Sequence, residues 1–375
     1  MKIIQECRRC IMSSAADPDI VFDQEGICNH CRRYDELLPQ RVLSGAEGRA
    51  ALGRIVEAIK SHGSGKEYDC LIGISGGVDS TYVAYLTKQL GLRPLAVHVD
   101  NGWNSELAVK NIELALRKLG IDLYTEVLDW DEFRDLQLSF LRASTTDMEI
   151  PTDHAILAVL WKQALAHNIK YIISGMNFAT ESTFVQSWAY GHWDWRYIKG
   201  LQKRFGHRPL KTFPHFTMLD LFYVHVVRGV RSVSILNYVD YDKTKVMETL
   251  SDELGWRYYG GKHYESVYTR FVQGYILPRK FKVDKRYGHL SDMIRAKQIT
   301  REQALSEIAK SPYPDDLLAK DYSFVLKKLG ISDNELQEIM SAPVRSFADY
   351  DNSHRMMAAL RRAISFARNA GLYPR

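Results

Sequence analysis

Cys70-Leu71-Ile72-Gly73-Ile74 runs directly into Ser75-Gly76-Gly77-Val78-Asp79-Ser80, and a helical pattern follows as far as Gly91. The apolar run reads as a short buried strand and the glycine pair as a tight turn. Glycines there let backbone amides approach an anion with no Cβ in the way. A helix starting near Ser80 adds free N–H groups and a positive dipole end, and the hydroxyls of Ser75 and Ser80 add donors. The segment therefore reads as a phosphate loop. It is not of the Walker type, which ends in Lys-Ser/Thr. A plainer alternative is that Gly-Gly makes the turn and Asp79 or Ser80 caps the helix.

Strands and helices alternate outward from this loop. Leu95 to Val99 reads as a second strand, Glu106 to Leu119 as a helix closed by Gly120, and Ile121 to Val127 as a third strand. Thr152 to His167 reads as a helix, Tyr171 to Ser174 as a strand, and Arg231 to Asn237 as a last strand. The expected fold class is α/β, a doubly wound parallel sheet. Ligands of such sheets sit at the carboxyl ends of the strands. Three segments reach that rim: Gly73 to Ser80, His98-Val99-Asp100-Asn101, and Gly175 with Asn177. Upstream, a connector from Leu43 to Gly48 precedes a helix whose buried face is Leu52, Ile55, Val56 and Ile59. The expected division is a knuckle at 1–45, an α/β domain at 46–240 and a mainly helical region at 241–375.

The knuckle rests on Cys7, Cys10, Cys28 and Cys31, two C-x-x-C pairs separated by seventeen residues. In a reducing compartment this spacing favours metal over disulfides, and four thiolates complete the closed shell of structural zinc. A redox pair or an iron–sulfur cluster are the alternatives, and His30 is a possible substitute for one sulfur. A site with four protein ligands leaves no open position, so its expected role is structural. Lys plus Arg total 50 against 45 for Asp plus Glu, and +5 is a thin surplus for a nucleic-acid partner. No apolar run is long enough to cross a bilayer and no signal segment opens the chain, so the expected compartment is the cytoplasm, with no membrane partner. The aromatic stretch Phe184 to Tyr197 suits core packing better than base stacking. Capping boxes at Thr300/Gln303 and Ser332/Glu335 start C-terminal helices, and a final helix is expected over 353–370.

The Ser75-to-Ser80 motif resembles the signature of the PP-loop ATP pyrophosphatases. That resemblance implies ATP as co-substrate, with Ser75, Gly76, Gly77, Val78 and Ser80 around its phosphates and Asp79 helping to hold Mg²⁺. It implies adenosine contacts at His98 to Asn101, with Gly73, Ile74, Gly175 and Asn177 completing the rim. The chain as a whole is similar to the N-acetyl sugar amidotransferases of bacterial surface-polysaccharide pathways, the family that includes WbpG and PseA. The similarity runs through Lys262-to-Phe271, Leu277-to-Arg286, His289-to-Asp292 and Arg301-to-Leu305. It implies that a nucleotide-activated N-acetyl sugar is adenylated on its acetamido oxygen, which ammonia-derived nitrogen replaces to give an acetamidino sugar.

Within the basic segment, Lys280, Lys285 and Arg286 are the expected catalytic cations beside Asp79 and Ser80. Arg279 is a further substrate contact, Asp153 and Glu265 are candidates to orient the reacting nitrogen, and a solvated basic face is the alternative. Glutamine hydrolysis needs a nucleophilic cysteine. Cys7 is assigned to zinc and Cys70 lies on a strand without a glycine elbow. Ammonia is therefore expected from a separate glutaminase, one that the resemblance suggests is paired with a cyclase-like barrel. Two rival readings remain: a PP-loop enzyme of tRNA thiolation, and a nucleotide-binding zinc-knuckle adaptor without chemistry.

Overall fold

The computed structural model describes residues 4–357. After the cysteine-bearing segment come α1 (Asn29–Arg41), α2 (Gly45–His62), β1 (Cys70–Gly73), α3 (Val78–Gln89) and β2 (Pro94–Asp100). They are followed by α4 (Glu106–Leu119), β3 (Asp122–Val127), α5 (Trp130–Ala143), α6 (Ile150–Ala166), β4 (Tyr171–Ser174), α7 (Trp195–Phe205) and α8 (Met218–Phe222). Then come β5 (Arg231–Ser234), α9 (Lys243–Leu254), α10 (Val267–Phe271), α11 (Arg286–Arg295), α12 (Arg301–Ile308), α13 (Asp315–Leu329) and α14 (Asp333–Ser341).

The five strands form one sheet in the order β3-β2-β1-β4-β5, with every neighbouring pair parallel. Alternation along the strands divides the core. Cys70 and Ile72 of β1 and Ala96 of β2 pack against α2, α3 and α4 through Val56, Ile59, Val83 and Ile112. Leu71, Leu95 and Val97 face the opposite layer, where α6 supplies Val159, Leu160 and Ala164. A sheet buried on both faces in this way is doubly wound. Strand order reverses between β1 and β4, and a crevice opens where loops diverge from such a point.

The strands fall where the sequence places them, with one physical difference. The expected last strand stops at Ser234, and Ile235–Tyr238 coils into a 3₁₀ turn whose Ile235 and Leu236 are buried. A short apolar run bound for the core looks the same in either conformation. Helix α2 begins at Gly45, inside the expected connector, and α5 has no counterpart among the sequence expectations. The aromatic stretch packs inward: Trp188, Tyr190 and Tyr197 are buried. Both expected capping boxes are present. The end of the expected final helix lies outside the described residues.

The cysteine segment shares one core with the C-terminal helices, since its four buried cysteines pack in the cluster that holds Ile276, Leu277 and Val325. Helix α9 lies across α3, with Val246, Leu250 and Trp256 against Val78.

Candidate active site

The loop after β1 owes its shape to two glycine positions. Gly76 has φ +79°, and a Cβ there would lie 2.5 Å from the carbonyl oxygen of Ala108 in α4. A Cβ on Gly175, just past β4, would come within 3.3 Å of the Asp79 backbone. Both strand ends thus close on the loop. Helix α3 is capped by Gly77, which has no side chain to spend on the first amides. The plainer capping alternative for Asp79 and Ser80 therefore fails. Ser80 instead folds back, its Oγ accepting from the Ser75 N–H at 3.2 Å and lying 3.1 Å from Ser75 Oγ. The indole of Trp256 donates to the Gly76 carbonyl at 2.9 Å and the Tyr259 hydroxyl accepts from the Val78 N–H at 3.3 Å. The loop is held from outside while its hydroxyls face a cavity.

That cavity, about 450 Å³, is walled by Gly73, Ile74, Ser75 and Ser80 from β1 and its loop, and by His98, Val99 and Asn101 from β2. Thr152, Asp153 and Ile156 of α6 form another wall, and His263, Glu265, Ser266, Gln273 and Lys285 close it from the C-terminal region. The imidazole of His98 is fixed by the Ile74 carbonyl (2.9 Å) and by Asn104 (3.0 Å). Asn101 donates to Thr152 Oγ1 at 3.3 Å. Asp100 turns aside to accept from the Gly102 N–H at 2.8 Å and does not line the cavity. Neither Gly175 nor Asn177 lines the cavity: Gly175 packs on the Asp79 backbone, and Asn177 accepts from the Ala179 N–H at 3.0 Å.

Asp79 points away from this wall, toward α9. It accepts from the Tyr241 hydroxyl. Burial pushes its carboxyl above the usual range, and the nearby Glu181 carboxylate pushes the same way. Burial also opposes ionisation of Glu181, but Lys262, 2.9 Å away, outweighs it and holds that carboxyl low. Two half-buried carboxylates that repel each other beside a phosphate loop suit a hard divalent cation, so Asp79 and Glu181 fit Mg²⁺. Glu265 overhangs the loop, its Oε1 within 3.6 Å of where a Gly77 Cβ would sit. Burial alone would raise it, but His263 at 3.5 Å holds it low, and its Oε2 is buried without a partner.

Asp153 lines the cavity and is exposed to it. Burial, reinforced by Glu149 and Asp147, pushes its carboxyl up to about 7. Water filling the cavity offsets part of that rise until a substrate displaces it. Lys285 stands opposite, 3.8 Å from Glu149.

The rest of the expected basic cluster is turned elsewhere. Lys280 donates to the carbonyls of Ala342 (2.9 Å) and Met340 (3.4 Å) at the end of α14. Arg279 lies over the Tyr275 ring at 4.3 Å, outside the cavity. Arg286 pairs with Asp284 at 2.7 Å and donates to the Lys310 carbonyl at 3.0 Å, so it is a bracing residue relative to this crevice. The cause is local: the π-helix Val272–Phe281 ends at Lys282 with φ +58°, and this left-handed turn parts Arg279 and Lys280 from Lys285 and Arg286. Tyr241, Glu181, Glu149 and Tyr259 are site residues that the sequence reading misses. Only Lys262 and His263 carried a signal, lying in a block already singled out.

The four cysteines lie outside the cavity lining. Their Sγ atoms all fall within 4.8 Å of one another, with Cys7–Cys31 at 3.9 Å and Cys10–Cys28 at 3.7 Å. A tetrahedral ion with metal–sulfur bonds of about 2.3 Å requires sulfurs about 3.8 Å apart. Backbone N–H groups of Cys10, Met12 and Cys28 point at the sulfurs, and the buried Arg295 guanidinium lies 3.6 Å from Cys31 Sγ. These donors offset the negative charge of four thiolates, so the set fits one structural zinc ion. His30 is not needed, and its Nε2 is engaged by Asp17 at 2.7 Å. Arg295 also binds Asp292 (2.7 Å), which accepts from the Thr183 N–H (3.0 Å) in the segment after β4.

Residues 265–363 match the family described as LPS biosynthesis protein WbpG-like, C-terminal domain. The matched segment follows the parallel sheet that carries the glycine loop. Over 190 residues, 47% of this chain and 34% of the relative, it is 27% identical to a GMP synthase [glutamine-hydrolyzing] of Pyrobaculum aerophilum. Over 71 residues, 18% of this chain and 22% of the relative, it is 37% identical to a tRNA(Ile)-lysidine synthase of Chlamydia pneumoniae. The chain thus spans about a third of the length of the first of these relatives and less of the second. Among solved structures, NMN synthetase from Francisella tularensis is 16% identical at a TM-score of 0.39, covering 77% of this chain and 98% of that one. The WbpG-like segment contributes Glu265, Ser266, Gln273 and Lys285 to the crevice that the phosphate loop opens. No helix among the described residues is long and apolar enough to cross a membrane.

Proposed function

We propose that the protein is an ATP-dependent amidotransferase that converts the acetamido group of a nucleotide-activated N-acetyl sugar into an acetamidino group, for a bacterial surface glycan such as O-antigen. One observation carries the reading: the phosphate loop of β1 and the WbpG-like segment line the same cavity. An amide carbonyl is a poor electrophile because its oxygen leaves badly. Attack of that oxygen on the α-phosphorus of ATP expels pyrophosphate and gives an O-adenylyl imidate. Ammonia then adds to the imidate carbon, a proton is lost, and AMP departs with the former carbonyl oxygen. Such chemistry needs positioning and charge neutralisation more than covalent help from the protein.

The residues suit those tasks. The Ser75 and Ser80 hydroxyls and the α3 amides bind phosphate oxygens. Asp79 and Glu181 would hold Mg²⁺, which supplies charge neutralisation at the phosphates when bound. Lys285 faces the place where the two substrates meet, and Asp153 can take up or release a proton near neutrality. The zinc ion on Cys7, Cys10, Cys28 and Cys31 would hold the wall behind the site.

All five cysteines are buried, and burial pushes the Cys70 thiol well above its usual range. This supports ammonia supply by a separate glutaminase, for which a cyclase-like barrel partner is our proposal. It also disfavours sulfur transfer to tRNA, which needs a reachable thiolate. A set of free thiols held for metal suits the cytoplasm.

The test is to incubate the protein with ATP, Mg²⁺ and candidate N-acetyl sugar nucleotides, with either ammonium or glutamine, and follow pyrophosphate and product mass. Product from ammonium but not from glutamine, abolished in Asp79→Ala, is expected. Turnover with glutamine alone would refute the division of labour, and near-normal turnover of Asp79→Ala would refute the site.

A further inference from the structure

A second cavity, about 490 Å³, lies in the C-terminal region and shares Gln273 and Lys285 with the first. Its walls hold six cationic side chains (Lys243, Lys262, Arg270, Lys285, Arg286 and Lys310) against the carboxylates of Asp284 and Glu307. Three of the six are committed. Arg270 is held by Asp321 at 2.8 Å, Arg286 by Asp284 at 2.7 Å and Lys310 by Glu307 at 2.7 Å. The others are less occupied. Among the described residues, Lys285 has only the 3.8 Å ion pair with Glu149, and Lys243 makes none. Lys262 divides its amine between Glu181 (2.9 Å) and His289 Nδ1 (3.1 Å).

His289 Nε2 is buried without a partner. Burial and the charges of Lys262, His263, Lys285 and Lys243 keep that imidazole neutral. Burial and Lys262 likewise lower Lys243, which Asp79, Glu181 and Glu265 partly relieve. Mutual repulsion among these cations is what a bound anion removes. The remaining wall differs in chemistry: Tyr258 is 53% exposed beside Tyr264, Leu290 and Met293, a surface on which a flat ring or a sugar can lie.

We propose that this second cavity binds the diphosphate and nucleoside of the acceptor, so that its sugar passes Lys285 and Gln273 into the ATP crevice. The inference rests on the function proposed above and adds where the acceptor sits. Two sources could supply a diphosphate, the acceptor or the pyrophosphate leaving ATP. The second should compete with ATP phosphates, whereas the first should bind beside them. The shared wall suits this geometry, because an acetamido oxygen must reach the α-phosphorus at the junction while its carrier lies elsewhere.

The experiment uses the full chain in equilibrium dialysis. The protein is saturated with α,β-methylene-ATP, whose α–β bridge resists cleavage, and then titrated with UDP, GDP, CDP, dTDP or pyrophosphate. At least one nucleoside diphosphate should bind without displacing the analogue. Lys310→Glu at the exposed rim and Tyr258→Ala on the aromatic wall should each weaken it about tenfold, close to 1.4 kcal/mol. Neither should change affinity for the analogue. Displacement of the analogue, binding of pyrophosphate alone, no nucleoside diphosphate binding, or unchanged affinity in both variants would each overturn the assignment. Failure of the analogue itself to bind would instead remove the ATP reading on which this rests.

Discussion

Replacing Gly76 by Ala tests whether the phosphate loop depends on its backbone shape. The residue sits at φ +79°, where an L side chain costs about 1–2 kcal/mol. Its Cβ would also stand 2.5 Å from the Ala108 carbonyl oxygen, against backbone that cannot swing aside as a side chain would. Overpacking of this kind costs about 1–3 kcal/mol. The loop has little freedom to absorb the strain, since Trp256 holds its carbonyl at 2.9 Å and Gly175 closes it from β4. A combined loss of about 2–5 kcal/mol is expected. Unfolding entropy of about 2.1 cal/mol/K per residue turns that into a Tm drop of about 3–6 °C if the chain melts as one unit. ATP affinity, read by titration calorimetry, should fall with it, because the amides that move are those facing the phosphates. Gly53→Ala is the control. It lies mid-helix in α2 with nothing within 4 Å of a new Cβ, and should stabilise by up to about 1 kcal/mol. A Gly76→Ala protein with unchanged Tm and unchanged ATP affinity would refute the reasoning.

Three further outcomes follow from particular contacts. Elemental analysis should find about one zinc per chain, and Cys28→Ser should lose the metal and melt earlier; a metal-free protein of equal stability would overturn the assignment. Because Asp153 is pushed up to about 7, its carboxylate fraction rises about tenfold between pH 6 and 8. Ammonium-dependent turnover, corrected for free ammonia, should rise with it and flatten in Asp153→Asn; an identical limb in the variant would exclude Asp153 as its source. Lys280→Ala should cost about 0.5–2 kcal/mol of stability, through the α14 carbonyls it satisfies, and leave KM values near wild type. A raised KM at unchanged Tm would return Lys280 to the crevice.

What the sequence by itself determined is what short-range pattern encodes. Cys70 to Ser80 specifies a buried strand, a glycine turn and a helix start, because each depends on residues within a few positions. The five strands are legible for the same reason, and paired C-x-x-C spacing foretells the convergence of four sulfurs. Tertiary structure decided which charges meet. Asp79 finds Tyr241 and Glu181 at sequence separations no local rule reaches. The basic run from Arg279 to Arg286 reads as one cluster, yet the left-handed turn at Lys282 parts Arg279, on Tyr275, and Lys280, on α14, from Lys285 in the crevice. Asp153 reads from sequence only as a candidate to orient the reacting nitrogen, and it is the cavity around it, closed by the C-terminal region, that gives its carboxyl a proton to exchange near neutral pH. Backbone conformation follows local sterics and hydrogen bonding; the surroundings of a charge follow from packing between distant segments, and those surroundings set what it can do.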